Sequence, residues 1–308
     1  EPVAPEEGAA AAPLPAGAKV IPAEQFRYIF RDVREHFSFV EELFVHDGAV
    51  GSSVAAEVPT RCFLDNAAHA LYLKHMMNRV PFRTPLNFEE KAELYVASGH
   101  VLHERYGLPK NLTIIDGDNN RAVVLGNPAS APIRDGLISA VAPLLEQSGA
   151  VAVGAHTVFV GETPALVFAD ANAAAPAGVE QYSAAHSIWG PNGLSRAWNG
   201  ITSPASTAGS RGDLVEAMGS TKLLTCALPN TKGAAVAHPA AAVFVSAKAK
   251  GVKALDAKQV AAELKASGQV AGSSLEAFSA LMEANKVKAF VVGAGDAAKG
   301  ITAAVSGK

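Results

Sequence analysis

Short apolar runs alternate with longer amphipathic stretches along most of this 308-residue chain, and this alternation limits the folds open to it. Runs rich in β-branched residues are typical of buried strands, whereas apolar residues three or four positions apart indicate helices. The strand-like runs include VPTRCFL, NLTIID, RAVVLG, TVFVGE, ALVFA, AAAVFVSA and KAFVVGA. Strands that alternate with helices predict an α/β architecture.

Helical patterns lie between these runs. They cover residues 22–44, 66–80, 88–106, 133–146, 258–267 and 274–285. The strand-like LFVHDGAVG is predicted to enter a turn at Asp47-Gly48, and the Gly/Ser/Pro-rich segment 189–211 predicts a loop. Residues 1–21, rich in Ala and Pro, predict an extended tail.

Length and composition allow two domains with sizeable cores. A chain of 308 residues holds two domains of ~150 residues each, and the pattern divides best near residues 148–151. Hydrophobic residues make up 49% of the chain and charged residues 18%, which excludes global disorder. The net charge of −3 argues against a general nucleic-acid binder, because such proteins normally present a basic surface.

Further sequence features bear on the compartment. The apolar stretches are interrupted before the ~20 residues that a membrane-spanning helix needs, so we expect a soluble chain without a transmembrane segment. Cys62 and Cys226 lie in apolar surroundings without zinc-site spacing, which favours buried free thiols. The acidic, Ala/Pro-rich opening has no secretory signal and does not start with Met, which predicts a processed chain.

The histidines suggest a metal site at one place. His100 and His103 have the i, i+3 spacing that puts two ligands on one helical face, but only Glu104 is near them. Because zinc sites need three or four ligands, surface or helix-packing roles are favoured. His69 and His75 lie in AAHALYLKHMM, whose Ala and Leu content predicts a packed helix.

The acidic segment DGDNN resembles part of a calcium loop. Asp116, Asp118 and Asn119 would supply oxygen ligands, but the terminal glutamate of that loop is missing, so a polar turn is favoured. No GxGxxG, GxxxxGK[ST] or GxSxG motif occurs in the chain. The residues by themselves therefore indicate no convincing active site.

The chain resembles the N-terminal domain of the ATP-dependent phosphoenolpyruvate carboxykinases in one block, LFVHDGAVGSSVAAEVPTRCFLDNAAHALYLKHMMNRVPFRTP. In that family a strand with a D-G-like turn precedes a strand containing V-R. A helix with a W-H-A-L-F-like core then ends at an N-M-x-x-R-P-like segment. The matching pieces here are Asp47-Gly48, residues 58–61, His69-Ala70-Leu71 and residues 76–81.

Further segments follow in the family's order, from about residue 22 to about residue 301. NLTIID resembles its D-F-T-I strand, and AVVLGNPASAPIRDGLISAVAPLLEQSGAV resembles its V-I-L-G-T-x-Y-A-G-E-M-K-K-G-L-F block. TPALVFADANAAAP stands where the family has A-L-F-F-G-L-S-G-T-G-K-T. ALPNTKGAAVAHPAAAVFVSAKAKGV resembles the stretch from Y-I-P-N-A to H-P-K-N-V-x-L-L. The resemblance implies a two-domain α/β fold with mixed sheets: a carboxykinase N-terminal-like domain over residues 22–149 and a degenerate nucleotide-domain-like region over residues 150–308.

The chain departs from the family at the nucleotide loop. The family cradles ATP phosphates with backbone N–H groups of a glycine-rich loop, and a lysine neutralises charge on the phosphoryl group. The matching loop positions are here Ala169, Asn172, Ala174, Ala175 and Pro176. Alanine restricts the positive φ angles that glycine permits, and proline has neither a hydroxyl nor an N–H. The resemblance therefore implies a former ATP loop that no longer binds phosphate, and no cofactor.

The family's metal and substrate sites also lack their residues. Its metal-binding lysine and histidine fall at Asp135 and Ala142. The segment that matches its D-D-E-H region has no carboxylate between residues 184 and 196. Neither the R-S-P-K-D-K segment nor the adenine-binding C-terminal portion has a counterpart. The resemblance therefore implies no metal site and no carboxykinase activity.

These features predict a catalytically inactive carboxykinase-like protein that serves as a structural or accessory subunit of a larger protein assembly. The tail and the Ala-rich helices suit packing against other subunits, because alanine loses little side-chain entropy on burial. The processed start predicts a mitochondrial complex, such as a respiratory complex or ATP synthase, with the cytoplasm as the alternative compartment.

Two alternatives stay open. In the first, the chain is a small-molecule-binding protein, or an enzyme with altered chemistry, whose site lies between the domains near His156, His186 and Arg196. Clefts between α/β domains commonly hold ligands. In the second, it is an unrelated α/β protein whose segment order matches the family by chance.

Overall fold

The computed structural model divides the chain into two compact units. It describes residues 2–5, 19–80, 91–126, 130–169, 179–183, 185–204, 214–218, 221–227, 232–267, 269–270 and 274–307. The first unit consists of Glu1–Val50, Val58–Leu144 and Pro204–Cys226. The second consists of Gly51–Glu57, Leu145–Ser203 and Ala227–Lys308. Each unit is therefore assembled from segments that are distant in sequence.

A seven-stranded mixed sheet forms the first unit's framework. Its strands are β1 (Pro2–Pro5), β2 (Lys19–Ile21), β3 (Phe44–Val50), β4 (Val58–Leu64), β5 (Ala92–Ala97), β6 (Leu112–Asp116) and β7 (Arg121–Leu125). Their order is β2–β1–β6–β7–β5–β4–β3. β4, β5 and β7 run parallel, whereas β3 pairs antiparallel with β4, and β6 with β7. Side chains along β4 alternate between buried and half-buried, as the period of two in a strand requires.

Three helices accompany this sheet: α1 (Ala23–Phe39), α2 (Ala67–Met76) and α3 (Ser130–Gln147). α1 buries Phe26, Ile29 and Val33 against apolar residues of β5, β6 and β7. These positions are three and four apart, so they share one helical face, and each burial contributes about 1.5–3 kcal/mol. α2 begins after Asn66, whose side chain accepts a hydrogen bond from the Ala68 N–H at 2.8 Å and so caps the helix.

Two sheets build the second unit. One contains β9 (His156–Val160), β10 (Thr163–Phe168), β11 (Glu180–Ser183), β18 (Ala241–Ser246), β19 (Val252–Leu255) and β20 (Lys288–Gly293). Its order is β11–β9–β10–β18–β20–β19, with β10, β18 and β20 parallel. The other contains β8 (Val151–Val153), β12 (Ser187–Gly190), β13 (Gly193–Arg196) and β17 (Ala235–Val236), in the order β17–β13–β12–β8. Three further strands lie outside these two sheets. They are β14 (Gly200–Pro204) and the antiparallel pair β15 (Leu214–Met218) and β16 (Thr221–Ala227), and this pair lies in the Pro204–Cys226 segment of the first unit, apart from the last residue of β16.

The helices of the second unit are α4 (Ala257–Ser267), α5 (Ser274–Ala284) and α6 (Ala297–Ser306). Aromatic rings link the two sheets of this unit to α5. Phe168 and Phe244 stack with their ring centroids 4.6 Å apart. Phe278 of α5 lies edge-on to Phe168 and Trp189, with centroid distances of 6.0 and 5.4 Å. Such pairs contribute about 0.5–1.5 kcal/mol beyond the area they bury. Among the helices that the structure describes, none combines the length and apolar character needed to cross a bilayer.

The structure confirms the α/β class and corrects the predicted helix over residues 88–106. Residues 92–97 form β5, and only Glu104–Tyr106 form a single helical turn. Ala92, Leu94 and Val96 are fully buried on one face of that strand. The apolar residues of this segment fit both the period of two of a strand and the period of 3.6 of a helix. The strand forms because β5 pairs with both β4 and β7.

The predicted turn at Asp47-Gly48 is also wrong, because β3 runs straight through both residues. Asp47 accepts two hydrogen bonds from the Arg61 guanidinium on β4, each 2.8 Å long. Gly48 is required by packing, since an added Cβ would lie 2.9 Å from Cε of Met77. The dipeptide Asp47-Gly48 has the composition of a turn, but here Asp47 forms an ion pair with Arg61 on the neighbouring strand and Gly48 lies close to Met77.

Two segments predicted to be irregular contain strands. Within the predicted loop 189–211 lie β13, β14 and the end of β12, whereas residues 205–211 are outside the described part of the chain. Its Gly and Pro residues form the hairpin turn between β12 and β13. In the predicted tail, β1 and β2 pair with each other, and β1 also pairs with β6. β8 belongs to the four-stranded sheet and not to the sheet of β9 and β10.

Smaller predictions are confirmed where the structure describes them. DGDNN forms a polar turn in which the Asn119 side-chain amide donates to both Asp116 carboxylate oxygens, at 3.1 and 2.9 Å. Cys62 is a buried free thiol, and burial raises its pKa. His69 is buried in α2 as expected for a packed helix, and His75 is half-buried there. The side chain of Cys226 lies outside the described part.

Replacing Gly193 by alanine is expected to destabilise the second unit more than the same change at Gly161. Gly193 has φ +108°, and an added Cβ would lie 2.0 Å from the Val236 carbonyl oxygen. Gly161 has φ +62° in open space, so only left-handed strain of about 1–2 kcal/mol applies there. We expect Gly193→Ala to lower the free energy of unfolding by about 3 kcal/mol or more, measured by urea denaturation. Equal losses at both positions would contradict the close approach of β13 and β17.

Candidate functional site

The predicted remnant of an ATP loop follows β10, a central parallel strand. Ala169 is half-buried, and its carbonyl oxygen accepts a hydrogen bond from the Gln269 side-chain amide at 3.1 Å. Outside the described residues lie its other four positions, Asn172, Ala174, Ala175 and Pro176. The next element that the structure describes is strand β11. Phosphate loops lead into a helix whose N-terminal N–H groups bind the anion, and no described element after Ala169 supplies that helix end.

The two positions that match family metal ligands both lie on α3. Asp135 is exposed, whereas Ala142 is buried in the core with 3% of its surface accessible. A methyl group is no metal ligand, so at most one carboxylate remains of that pair. Within the described ranges, no three His, Cys, Asp or Glu side chains are grouped so as to hold a metal ion.

The residues predicted for the alternative ligand site, His156, His186 and Arg196, all belong to the second unit. The sequence places them between two domains, whereas the structure buries all three, with exposures of 4%, 8% and 3%. Residues 185–187 bring them together. The Ala185 N–H donates to His156 Nδ1 at 3.2 Å, and Ser187 lies opposite Arg196 in the β12–β13 pair.

Both histidines of this group accept hydrogen bonds from the surrounding fold. His156 Nδ1 lies 3.0 Å from the Gln181 side-chain nitrogen, and His186 Nδ1 accepts the indole N–H of Trp198 at 3.3 Å. A ring nitrogen that accepts a hydrogen bond carries no proton. These contacts therefore leave Nδ1 unprotonated and place the proton of each neutral ring on Nε2. The two imidazoles therefore act as structural acceptors in the core.

Arg196 differs because its charge is buried without a carboxylate. Its guanidinium carbon lies 5.6 Å from the ring centroid of Tyr182, and its Nε and Nη1 have no hydrogen-bond partner among the described residues. The Tyr182 hydroxyl donates to the Gly233 carbonyl oxygen at 3.1 Å. Burial raises the pKa of Tyr182, and Ser52 and Arg196 partly offset that rise. Since a buried charge without a counter-ion costs several kcal/mol, an anion beside these free N–H groups would be stabilising.

A second group of polar side chains, the histidine–aspartate cluster, lies in the first unit. It consists of His36, Asp65, His69, Ser98 and His100. Asp65 directly follows β4 and Ser98 directly follows β5, and these two strands are parallel neighbours. Ligands of open α/β sheets commonly bind outside the carboxyl ends of such strands. Sequence reasoning missed Asp65, His36 and Ser98, and the only signal was the position of two of them directly after strand-like runs.

Asp65 holds this cluster together. One carboxylate oxygen accepts the Ser98 N–H, and the other accepts the Gly99 N–H and contacts His36 Nε2, all at 2.8 Å. Burial raises the pKa of Asp65, but the hydrogen bonds from Gly99, His36 and Ser98 outweigh it and hold the pKa below its ordinary value. The side chain is 4% exposed, so an ionised carboxylate is retained here in a nearly dry site.

The remaining members are tied to neighbouring elements. The Ser98 hydroxyl lies 2.8 Å from His69 Nδ1, so it contacts a different histidine from the one that contacts Asp65. Burial and the nearby His36 lower the pKa of His100. The cluster therefore fastens α1 and α2 to the ends of β4 and β5.

The predicted helical spacing of His100 and His103 is wrong, because both residues precede the one-turn helix at Glu104–Tyr106. His103 Nδ1 accepts the Arg105 N–H at 3.0 Å and so caps that turn. The ring of His100 faces His36, with the centroids 5.3 Å apart. These two histidines therefore do not share a helical face.

Comparison with known proteins leaves the chain without an assigned family. No family model matches the chain, and no curated protein matches it significantly. The relationship to the carboxykinases therefore depends on the collinear segments and stays a prediction. The structure itself establishes a mixed α/β protein with several sheets.

Replacing Asp65 by asparagine is expected to lower the free energy of unfolding by about 1–3 kcal/mol at pH 7, because three hydrogen-bond donors lose their charged acceptor. Asp118→Asn, an exposed and equally conservative change, serves as the control and should have little effect. The pKa of Asp65 is lower in the folded than in the unfolded state. Its contribution is therefore fully present above the unfolded pKa of ~3.9 and is lost as the pH falls through the folded value. Urea denaturation between pH 7 and pH ~2.5 should show the difference shrinking, and a constant difference would contradict this role.

Proposed function

We propose that this protein is a catalytically inactive relative of the ATP-dependent phosphoenolpyruvate carboxykinases that serves as a structural or accessory subunit of a larger protein assembly. The observation that carries the proposal is the place of the run 169–176. It begins directly after β10, a central parallel strand of an α/β sheet, where nucleotide enzymes have their phosphate loop. In that place the run has neither glycine nor lysine.

The chemistry of the described residues supports the same proposal. The position that matches a histidine ligand is a buried alanine, and the next element that the structure describes after Ala169 is strand β11. Asp65 and its histidines are used to fasten helices, as described above. A folded core without phosphate-binding and metal-binding residues would function through the surfaces with which it binds other proteins. We propose a mitochondrial assembly, such as a respiratory complex or ATP synthase, as the setting.

The native mass of the endogenous protein tests the subunit function. We expect the protein to migrate in a complex of several hundred kilodaltons on a native gel of gently solubilised source material, with mass spectrometry of the band identifying its neighbours. The pure protein should form no phosphoenolpyruvate from oxaloacetate with manganese and ATP, because the run 169–176 has neither glycine nor lysine to hold the phosphates. An active carboxykinase assayed in parallel is the control. Migration near the 31.6 kDa of one chain would contradict the subunit function, and measurable product would contradict the loss of activity.

A second function, binding of a small anion, is favoured by one observation. Arg196 buries a positive charge, and two of its nitrogens, Nε and Nη1, have no hydrogen-bond partner within the described part of the second unit. A planar guanidinium matches the geometry of a carboxylate or phosphate and binds it through paired hydrogen bonds. This would make the second unit a small-molecule-binding module with Arg196, rather than the histidines, as its recognition group.

Thermal unfolding with small anions tests this second function. Oxalate or phosphate should raise the Tm of the wild-type protein saturably, because a ligand that binds only the folded state stabilises it by mass action. Chloride at matched ionic strength is the control for salt effects. Arg196→Gln should abolish the rise. If no anion exceeds chloride with the wild-type protein, the buried guanidinium is not a binding site.

A further inference from the structure

A cleft of about 720 Å³ lies in the first unit, between α1 and the turn that joins β6 to β7. We call it the arginine cleft. Its lining includes Phe26, Arg27, Phe30, Arg31, Arg34 and Arg121. Four arginines in one cleft are a local concentration of positive charge in a chain whose net charge is −3. The cleft lies where β7 begins, whereas Asp65 and Ser98 of the histidine–aspartate cluster follow the carboxyl ends of the parallel strands β4 and β5.

Arg121 belongs to the floor of this cleft and is already neutralised. Its guanidinium carbon lies 4.2 Å from the ring centroid of Phe30, and its nitrogens contact Glu93 at 3.3 Å and Asp116 at 3.5 Å. One face of the Phe30 ring is therefore covered by a cation. A flat aromatic ligand, such as a nucleobase, cannot stack against that face.

The other three arginines extend from the exposed face of α1. Arg27, Arg31 and Arg34 follow one another at i, i+4 and i+7, so they form one row. Arg31 contacts Asp32 at 3.5 Å, but its side chain is 65% exposed, and such surface pairs contribute little. Within the described residues, Arg27 and Arg34 form no ion pair. Direct ion pairs within the described part therefore leave Arg27 and Arg34 of this row available to a partner.

Three carboxylates, those of Glu35, Asp116 and Asp118, also line the arginine cleft. Glu35 and Asp118 are exposed at its edges. A ligand with dense negative charge, such as a polyphosphate, would meet these carboxylates as well as the arginines, and like charges repel. A chain that carries spaced carboxylates with neutral residues between them avoids that repulsion.

The spacing of the row fits such a chain. With a rise of about 1.5 Å per residue, the Cα atoms of Arg27 and Arg31 are separated by about 6 Å along the helix axis, and those of Arg31 and Arg34 by about 4.5 Å. Side chains at alternate positions of an extended peptide point to the same side and are about 6.6 Å apart. The flexible arginine stems bridge the difference.

We infer that the arginine cleft binds an extended acidic segment of a protein partner, with carboxylates at alternate positions facing Arg27, Arg31 and Arg34. This inference rests on the proposed subunit function, because it specifies the chemistry of one contact within the assembly. The Arg27, Arg31 and Arg34 guanidinium groups recognise the carboxylates, and the backbone of the partner lies along α1.

Fluorescence anisotropy with the isolated full chain tests the binding. The probe is a short fluorescein-labelled peptide of alternating Glu and Thr, and the matched control peptide has Gln in place of Glu. We expect saturable binding of the Glu peptide, at least about tenfold tighter than that of the Gln peptide at low salt. The affinity should fall at least about fivefold at high salt, because exposed charge pairs are screened within about a Debye length. Equal affinities for the two peptides would overturn the inference.

Two triple variants separate the cleft from net charge. The cleft variant carries Arg27→Glu, Arg31→Glu and Arg34→Glu. The control variant carries the same charge change at three exposed positions of the first unit outside the cleft, Lys74→Glu, Arg79→Glu and Lys110→Glu. We expect the cleft variant to bind the Glu peptide at least about tenfold more weakly, and the control variant less than about twofold more weakly. Equal losses would mean that only the net charge matters and would overturn the inference. Circular dichroism checks that both variants fold. If the cleft variant unfolds, the inference is decided by the affinities of the wild-type chain for the Glu and Gln peptides.

Competition distinguishes a peptide site from a general anion site. Pyrophosphate, and vesicles that contain phosphatidylserine, are added to the complex of wild-type chain and Glu peptide. We expect neither to displace the peptide at concentrations near that of the free peptide. Displacement by pyrophosphate or by vesicles at such concentrations would overturn the peptide assignment in favour of phosphate or membrane recognition.

The native-gel experiment separates failure of this inference from failure of the proposed function. An endogenous protein that migrates as a monomer contradicts the subunit function, whatever the peptide result. A large native complex combined with no peptide binding overturns the acidic-segment inference alone.

Discussion

Parallel pairing of neighbouring strands is the constraint on which the rest of this structure depends. In the first unit, β4, β5 and β7 align their carboxyl ends at one edge, which brings Asp65 to the backbone of Ser98 and Gly99. In the second unit, β10 pairs in parallel with β18 and so fixes where the chain leaves the sheet after Phe168. Parallel strands need long crossover connections, and the connection from β10 to β18 includes Pro204–Cys226, which belong to the first unit.

Charge in this protein is compensated to different degrees, and the differences indicate function. Asp65 is buried and fully satisfied by two amides and an imidazole, which is the arrangement of a structural fastening. Arg121 is held between two carboxylates over an aromatic ring. Arg196 is buried, and its Nε and Nη1 have no hydrogen-bond partner in the described part, where Arg27 and Arg34 are exposed and form no ion pair. The last three are where a ligand or partner gains the most, because their own fold leaves them unpaired.

Sequence reasoning succeeded where the local pattern and the tertiary environment agree. α1 was predictable because Phe26, Ile29 and Val33 repeat at helical spacing and are the residues that the core buries. β5 was missed because its six residues fit either period, and only pairing on both sides decided between them. The Asp47-Gly48 turn failed for a similar reason, since the partner Arg61 lies on another strand. The candidate sites were harder still, because Asp65 meets Ser98 and His36 only after three elements pack together.

The amino-acid sequence by itself determined the α/β class, helices α1 to α5, the buried thiol of Cys62, the polar turn at Asp116 and the strands β3, β4, β6, β7, β9, β10, β18 and β20. These features follow from hydrophobic periodicity and turn chemistry, which act over a few residues. Only the tertiary structure decided the strand order, the discontinuous units, the placement of His156 and His186 as core acceptors and the assembly of the arginine cleft. Those features depend on contacts between residues far apart in the chain, and burial and unpaired charge exist only once the chain has folded.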